Sequence, residues 1–133
     1  MKKPKKAPAK KLKVIIVNIK QIEADDRLGN TYMVWLVDII SLVRTTNGVL
    51  LVIKHPFEEN KFLRLFYAIS LTAFTALAEY LKTFCRIHHS VIINIHKVIS
   101  QNKKMHTFKL SDGVSYDYSD AGYVLYNDMD KNG

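Results

Sequence analysis

The sequence predicts a mostly β domain with one short amphipathic helix at about residues 70–82, and three observations carry that prediction. β-Branched and aromatic residues gather in short runs, Asn-Gly and Asp-Gly dipeptides fall between such runs, and only the stretch after Ser70 places apolar residues at helical spacing. Short runs bounded by turn residues are strands, and a change of period marks the helix.

The elements follow in order. Val14–Glu23, with Val-Ile-Ile-Val followed by Ile19 and Ile22, reads as a strand, and Asp25–Asn30 as a turn. Met33–Val37 and Ile39–Thr46 continue in strand character. Asn47-Gly48 favours positive φ at both central positions of a tight hairpin turn. Val49–Lys54 then returns antiparallel, Pro56 ends it, and Phe62–Tyr67 forms another strand after the acidic loop at Glu58 and Glu59.

Ser70 can cap a helix in which Leu71, Phe74, Ala78 and Leu81 share one face. About 12 residues rise roughly 18 Å, enough to cover a small sheet. Leu65–Ala78 carries no charge, but a membrane span needs about 20 residues and Arg64 and Glu79 close this run, so it reads as strand plus buried helix. Beyond it, Phe84–His88 is extended, as are Val98 and Ile99, and Met105–Leu110 pairs with Val114–Tyr118 across Asp112-Gly113. Within Val114–Tyr118 apolar and polar residues alternate, the signature of a half-buried strand.

The 133 residues fit one domain, and 48% apolar content can bury a core without disulfides or metals. A net charge of +8 invites a polyanion partner, yet its placement matters more than its total. Seven of the 20 Lys and Arg residues are Lys2, Lys3, Lys5, Lys6, Lys10, Lys11 and Lys13, which leaves 13 against 12 acids in the body. Residues 1–13 are expected to be a disordered tail, either binding phosphates or acting as a solubilising arm, ahead of a single domain at 14–133. In the body, Lys82, Arg86, Lys97, Lys103, Lys104 and Lys109 occur with no acid between Glu79 and Asp112, whereas the C-terminus is acidic. The lone Cys85 can make no intrachain disulfide, and Asn18 and Lys20 interrupt the first apolar run, so a cytoplasmic protein is expected.

No nucleophile with a base, no paired carboxylates in an apolar setting and no glycine-rich phosphate loop is recognisable, so neither an enzyme nor a cofactor is expected. Cys85, His88, His89, His96 and His106 match no compact zinc spacing. Asp128, Asp130 and Asn132 copy the opening of a calcium loop whose remaining ligands are missing.

Residues 84–99 hold a more specific pattern. Phe84, Arg86, His88, Ser90, Ile92 and Asn94 match the approximate signature F-x-R-x-H-R-S-y-I-V-N-x-x-x-I, with Ile99 one position past its closing Ile, and the stretch resembles the core of the LytTR family of bacterial transcription regulators. Ser70-Leu71, Asp38-Ile39-Ile40 with Asn47, Leu110–Gly113 and Tyr118-Ser119 extend the likeness over about residues 33–127. The resemblance implies an elongated arrangement of small antiparallel sheets with a short helix, whose loops enter successive grooves of duplex DNA. It implies contacts from Arg44, Thr45, Thr46 and Asn47, from Arg86, His88, His89 and Ser90, and from a third loop following Ser119. It also implies a response-regulator-like, sequence-specific regulator of transcription, here stand-alone, with two copies on direct-repeat sites. Arg suits guanine, and Asn or His is more permissive.

Two positions depart from the pattern: His89 stands where Arg is usual, and Asp120 where a basic residue follows the serine. An acid facing phosphate loses both the salt bridge and the counterion release that drives affinity. His88 also has a purely structural reading as a hydrogen-bonded packing residue, with His89 then facing outward. The alternative function is non-specific nucleic-acid or ribosome-associated binding through the Lys-rich tail.

Overall fold

A computed structural model describes residues 18–132, in which the strands form two antiparallel sheets. The expectations for the tail and for residues 14–17 lie outside the described residues. The elements are β1 (Gln21–Asp25), β2 (Thr31–Trp35), β3 (Ser41–Thr45), β4 (Gly48–Lys54), β5 (Phe62–Tyr67), α1 (Leu71–Ala78), β6 (Phe84–His88), β7 (Val91–Asn94), β8 (Val98–Asn102), β9 (Thr107–Leu110), β10 (Ser115–Asp117) and α2 (Asp120–Asn132). Short 3-10 turns at Leu36–Asp38, Glu79–Leu81 and Ile95–Lys97 join β2 to β3, prolong α1 and join β7 to β8. Seven strands run in the order β2-β1-β5-β4-β3-β7-β6, and three in the order β10-β9-β8.

Alternation along the strands gives the large sheet two apolar faces. One, with Leu42, Leu51, Leu65 and Ile92, packs under Leu71, Phe74 and Ala78 of α1. Ser70 starts that helix as expected, its Oγ accepting the Ala73 N–H at 3.0 Å. The other face, with Ile40, Val52, Ile87 and Ile93, meets Phe108 and Leu110 of the small sheet and Tyr123, Tyr126 and Met129 of α2. Asn94, buried between the 3-10 turns, donates from its amide to the carbonyls of Val37 and Ile39 at 3.1 and 2.9 Å and accepts the His96 N–H at 2.9 Å. A buried amide so satisfied ties two crossovers together at little net cost.

The registers give the molecule two distinct ends. Thr45 pairs with Gly48, Val49 with Tyr67, and Val43 with Val91, so the β3–β4 and β6–β7 turns and the entry to α1 share one end. Asn102 pairs with Thr107, and Ser119 donates its N–H to the Ile87 carbonyl at 2.8 Å, which brings the β8–β9 turn and the start of α2 to that same end. We term it the turn end. The Lys54–Lys61 loop, the 3-10 turn at Ile95–Lys97 and Ser111, whose N–H reaches the Lys97 carbonyl at 2.8 Å, lie at the opposite, loop end.

Two expectations need correction. The first hairpin turns at Thr46-Asn47, and Gly48 already pairs with Thr45 as the first residue of β4. Gly48 serves close approach instead: a Cβ there would overlap the Tyr67 carbonyl oxygen of the next strand. The Asp112-Gly113 hairpin forms as expected, with Gly113 at φ +84° and its N–H on the Leu110 carbonyl.

The second correction concerns the C-terminus, where a loop after Ser119 was expected and a helix begins. Ser119 caps it, its Oγ accepting the Gly122 N–H at 3.0 Å and its carbonyl the Tyr123 N–H at 2.9 Å. Tyr123, Tyr126 and Met129 fall three residues apart and pack on the second core. Gly122 lets the helix lie directly on β6, because a Cβ there would overlap the Ile87 carbonyl group. Gly122→Ala tests this contact. Alanine would normally gain about 1 kcal/mol in a helix. Here the overlap is expected to reverse the sign, at a cost of about 1–3 kcal/mol for overpacking, read as a lower urea midpoint. A raised midpoint contradicts the close approach.

Candidate nucleic-acid interface

At the turn end the chain brings together the residues of the first two expected contact loops. Arg44, Thr46 and Asn47 are exposed on the β3–β4 hairpin, with Thr45 half-buried between them. The backbone N–H of Arg44 donates to the Ser90 carbonyl at 2.9 Å, so this hairpin and the β6–β7 turn are directly joined.

In the second turn the two histidines divide as strand alternation predicts. His89 is exposed, whereas His88 is half-buried and its Nδ1 accepts the Ser90 N–H at 3.3 Å, with Ser90 Oγ at 3.1 Å. Accepting through Nδ1 puts the neutral ring's proton on Nε2. The rings lie 4.2 Å apart at a tilt of 38°. The His89 pKa is held below its ordinary value, first by the neighbouring charge of His88, then by desolvation, Arg44 and Arg86. His89 is thus the exposed centre of a cationic cluster, and loses its proton more readily because of it.

Arg86 occupies a different position from Arg44. Its Nη1 donates to Thr72 Oγ1 at 3.1 Å and its Nη2 to the His89 carbonyl at 2.5 Å, while Nε is buried without a protein partner. The guanidinium braces the turn against α1, which makes Arg86 a positioning residue in this geometry. Ser119 is likewise engaged in structure, since its N–H and Oγ both reach the Ile87 carbonyl, at 2.8 and 3.3 Å. Asp120 occupies the first turn of α2, where an acid is favourable against the helix dipole.

The turn end also carries residues that reasoning from sequence did not select. Lys103, Lys104, Met105 and His106 form the exposed β8–β9 turn. Tyr118, next to Ser119, donates its N–H to the His106 carbonyl at 3.0 Å, and the two rings stack at 5.5 Å with 7° between planes. The available signal was the acid-free stretch from Lys82 to Lys109. It identified the charge but not the turn that presents it.

Other chemistry is sparse. Among the described residues no group of three or more His, Cys, Asp and Glu side chains is gathered to hold a metal ion. Burial pushes the Cys85 thiol up to about 12, so it packs as a small apolar residue. A cleft of about 950 Å³ at the loop end is lined by Trp35, Lys54, His55, Phe62 and Lys97 among others. No described helix is long and apolar enough to cross a membrane. The lysines of residues 1–13 lie outside the described residues.

This architecture sets two antiparallel sheets together with a helix on either face of the larger. The structure is similar to that of the LytTr DNA-binding domain of a methyl-accepting/DNA response regulator from Bacillus cereus. The TM-score is 0.59 at 16% sequence identity, over 84% of this chain and 96% of that one. No protein-family model matches the sequence, and no curated protein matches it either. The chain therefore carries the LytTR fold.

Exchange of the local charges checks the cluster at His89. Arg44→Ala and Arg86→Ala are each expected to raise the His89 pKa towards its ordinary value, followed by NMR titration of the ring. Arg86→Ala should in addition speed amide exchange around His89 and Ser90, because the brace to Thr72 is gone; unchanged titration and exchange contradict this arrangement.

Proposed function

We propose that this chain is a sequence-specific double-stranded DNA-binding protein that regulates transcription in the bacterial cytoplasm. It acts as a binding module. The observation that carries the reading is the junction of the Arg44–Asn47 hairpin with the His88–Ser90 turn: two exposed turns with no acid in either share one end of a rigid sheet. Arg44, Asn47 and His89 supply donors that can reach base edges, and Thr46 adds a hydroxyl for base or phosphate. Arg86, His88 and Ser90 hold the second turn in shape, and Ser119 fixes the start of α2 beside it. Two copies on neighbouring sites would extend the contact. The LytTR fold supports the reading, as does the similar fold of a DNA-binding domain.

Selection from a random duplex library with the full chain tests it. A preferred sequence should emerge, and Arg44→Ala or His89→Ala should each weaken binding to it by about 5- to 150-fold, the range of 1–3 kcal/mol per base contact. Equal binding to all duplexes contradicts the reading. A phosphate-lined groove favours the imidazolium, and His89 titrates below its ordinary 6.5 in the free chain. Binding therefore takes up a proton, and affinity should rise as pH falls through the region below 6.5, with the rise lost in His89→Ala.

A second reading rests on the seven lysines of residues 1–13: the tail binds nucleic acid non-specifically and the domain is a scaffold. Deleting residues 1–13 separates the two. Sequence preference survives deletion under the first reading, whereas under the second binding is lost and its salt dependence flattens.

A further inference from the structure

We propose that the β8–β9 turn is a further DNA contact, in which Lys103 and Lys104 grip the phosphate backbone and take over the electrostatic role that the acid at Asp120 denies to the start of α2. The inference rests on the DNA-binding reading above and deepens it.

The turn lies on the surface that the other turns define. Ser119 is hydrogen-bonded to Ile87 at the end of β6, and Tyr118 to His106 at the end of the turn, so a short path of backbone contacts runs from His88 and His89 through Ser119 to Lys103 and Lys104. Both lysines are exposed, and among the described residues neither has a carboxylate partner; the ion pairs of Glu58 with His55 and Lys61 lie at the loop end. Their charges are therefore free to meet an anion.

The turn is also rigid, which lowers the entropy lost when the lysines are held against a ligand. Asn102 Oδ1 accepts the Met105 N–H at 2.9 Å, and His106, at φ +58°, stacks flat on Tyr118. Tyr118 in turn packs against Phe108 and Tyr123, with ring centroids 4.7 and 5.1 Å away. The presence of Lys103 near Tyr123 helps to hold that phenol's pKa below its ordinary value, after the hydrogen bonds of Asn127 and Gln101. Thus the lysine turn and the first turn of α2 occupy one patch, and Asp120 leaves a deficit of positive charge there that the two lysines more than offset. A duplex laid across Arg44 and His89 would meet its own backbone at this patch. Lysines suit that task, since they serve as point charges for phosphate and carry no base preference.

The test is the salt dependence of binding to the selected duplex, measured on the full chain, the Lys103→Gln/Lys104→Gln double variant and a control of equal charge, Lys54→Gln/Lys97→Gln, at the loop end. Loss of two phosphate contacts should lower the salt slope by about 1.8, so that the advantage of the parent chain shrinks about twelvefold between 50 and 200 mM salt. The control should keep the parent slope. Interference by neutral methylphosphonate linkages gives a second readout: the positions that weaken the parent chain should include some to which the double variant is indifferent. A double variant with the parent slope and the parent interference pattern, or one no different from the control, overturns this inference while DNA binding stands. Failure of the parent chain to bind any duplex overturns the underlying reading as well.

Discussion

The Ile87 carbonyl is the point on which the arrangement of the molecule turns. It accepts two hydrogen bonds from Ser119 and receives the bare backbone of Gly122 at a distance no side chain would allow. Through that contact α2 is pinned to β6, and through α2 and Tyr118 the small sheet is fixed to the large one. The Ser41 and Tyr116 hydroxyls, 3.0 Å apart, link the two sheets a second time. Interiors packed in this way do not deform continuously. The positions of four separate turns relative to one another thus follow from a few backbone contacts, and a surface assembled from turns inherits the rigidity of the sheets beneath it.

Within that surface the residues divide by what holds them. Arg86, His88 and Ser119 are engaged inside the protein, by Thr72 and the His89 carbonyl, by Ser90, and by Ile87. Arg44, Asn47, His89, Lys103 and Lys104 have their polar groups open to solvent. A binding site needs both sets, since donors placed by a locked scaffold lose less entropy when they meet a ligand. The motif around residues 84–99 consists largely of the first set: Asn94 is buried and fully satisfied, and Ile92 and Phe84 pack the core. A sequence pattern can therefore identify the fold through residues that never touch a partner.

The sequence made most of the sheet legible because strands with one buried face alternate, and both glycine-bearing turns fell between such runs. It misplaced the first turn by one residue, since Gly48 is required by the neighbouring Tyr67 carbonyl and not by its own turn. The second helix was hidden for a similar reason. Asp120, Gly122 and the polar residues beyond lower helical propensity and resemble a loop, while the helix is stabilised by Tyr123, Tyr126 and Met129 against a distant part of the chain. The first two turns of the site were legible through their likeness to a known pattern. The lysine turn was not, because its place beside Ser119 depends on pairing between the end of β8 and the start of β9, and on a stack between residues 106 and 118.

The central claim is that one end of the molecule, and not the other, meets the duplex. Amide chemical-shift mapping of the full chain titrated with its selected duplex tests it most directly. The account predicts that the largest shifts fall at residues 44–47, 88–90, 103–106 and 119–121, with the 54–61 loop and the cleft at Trp35 and Phe62 unmoved. Shifts concentrated at the loop end, with the four turns silent, would contradict it.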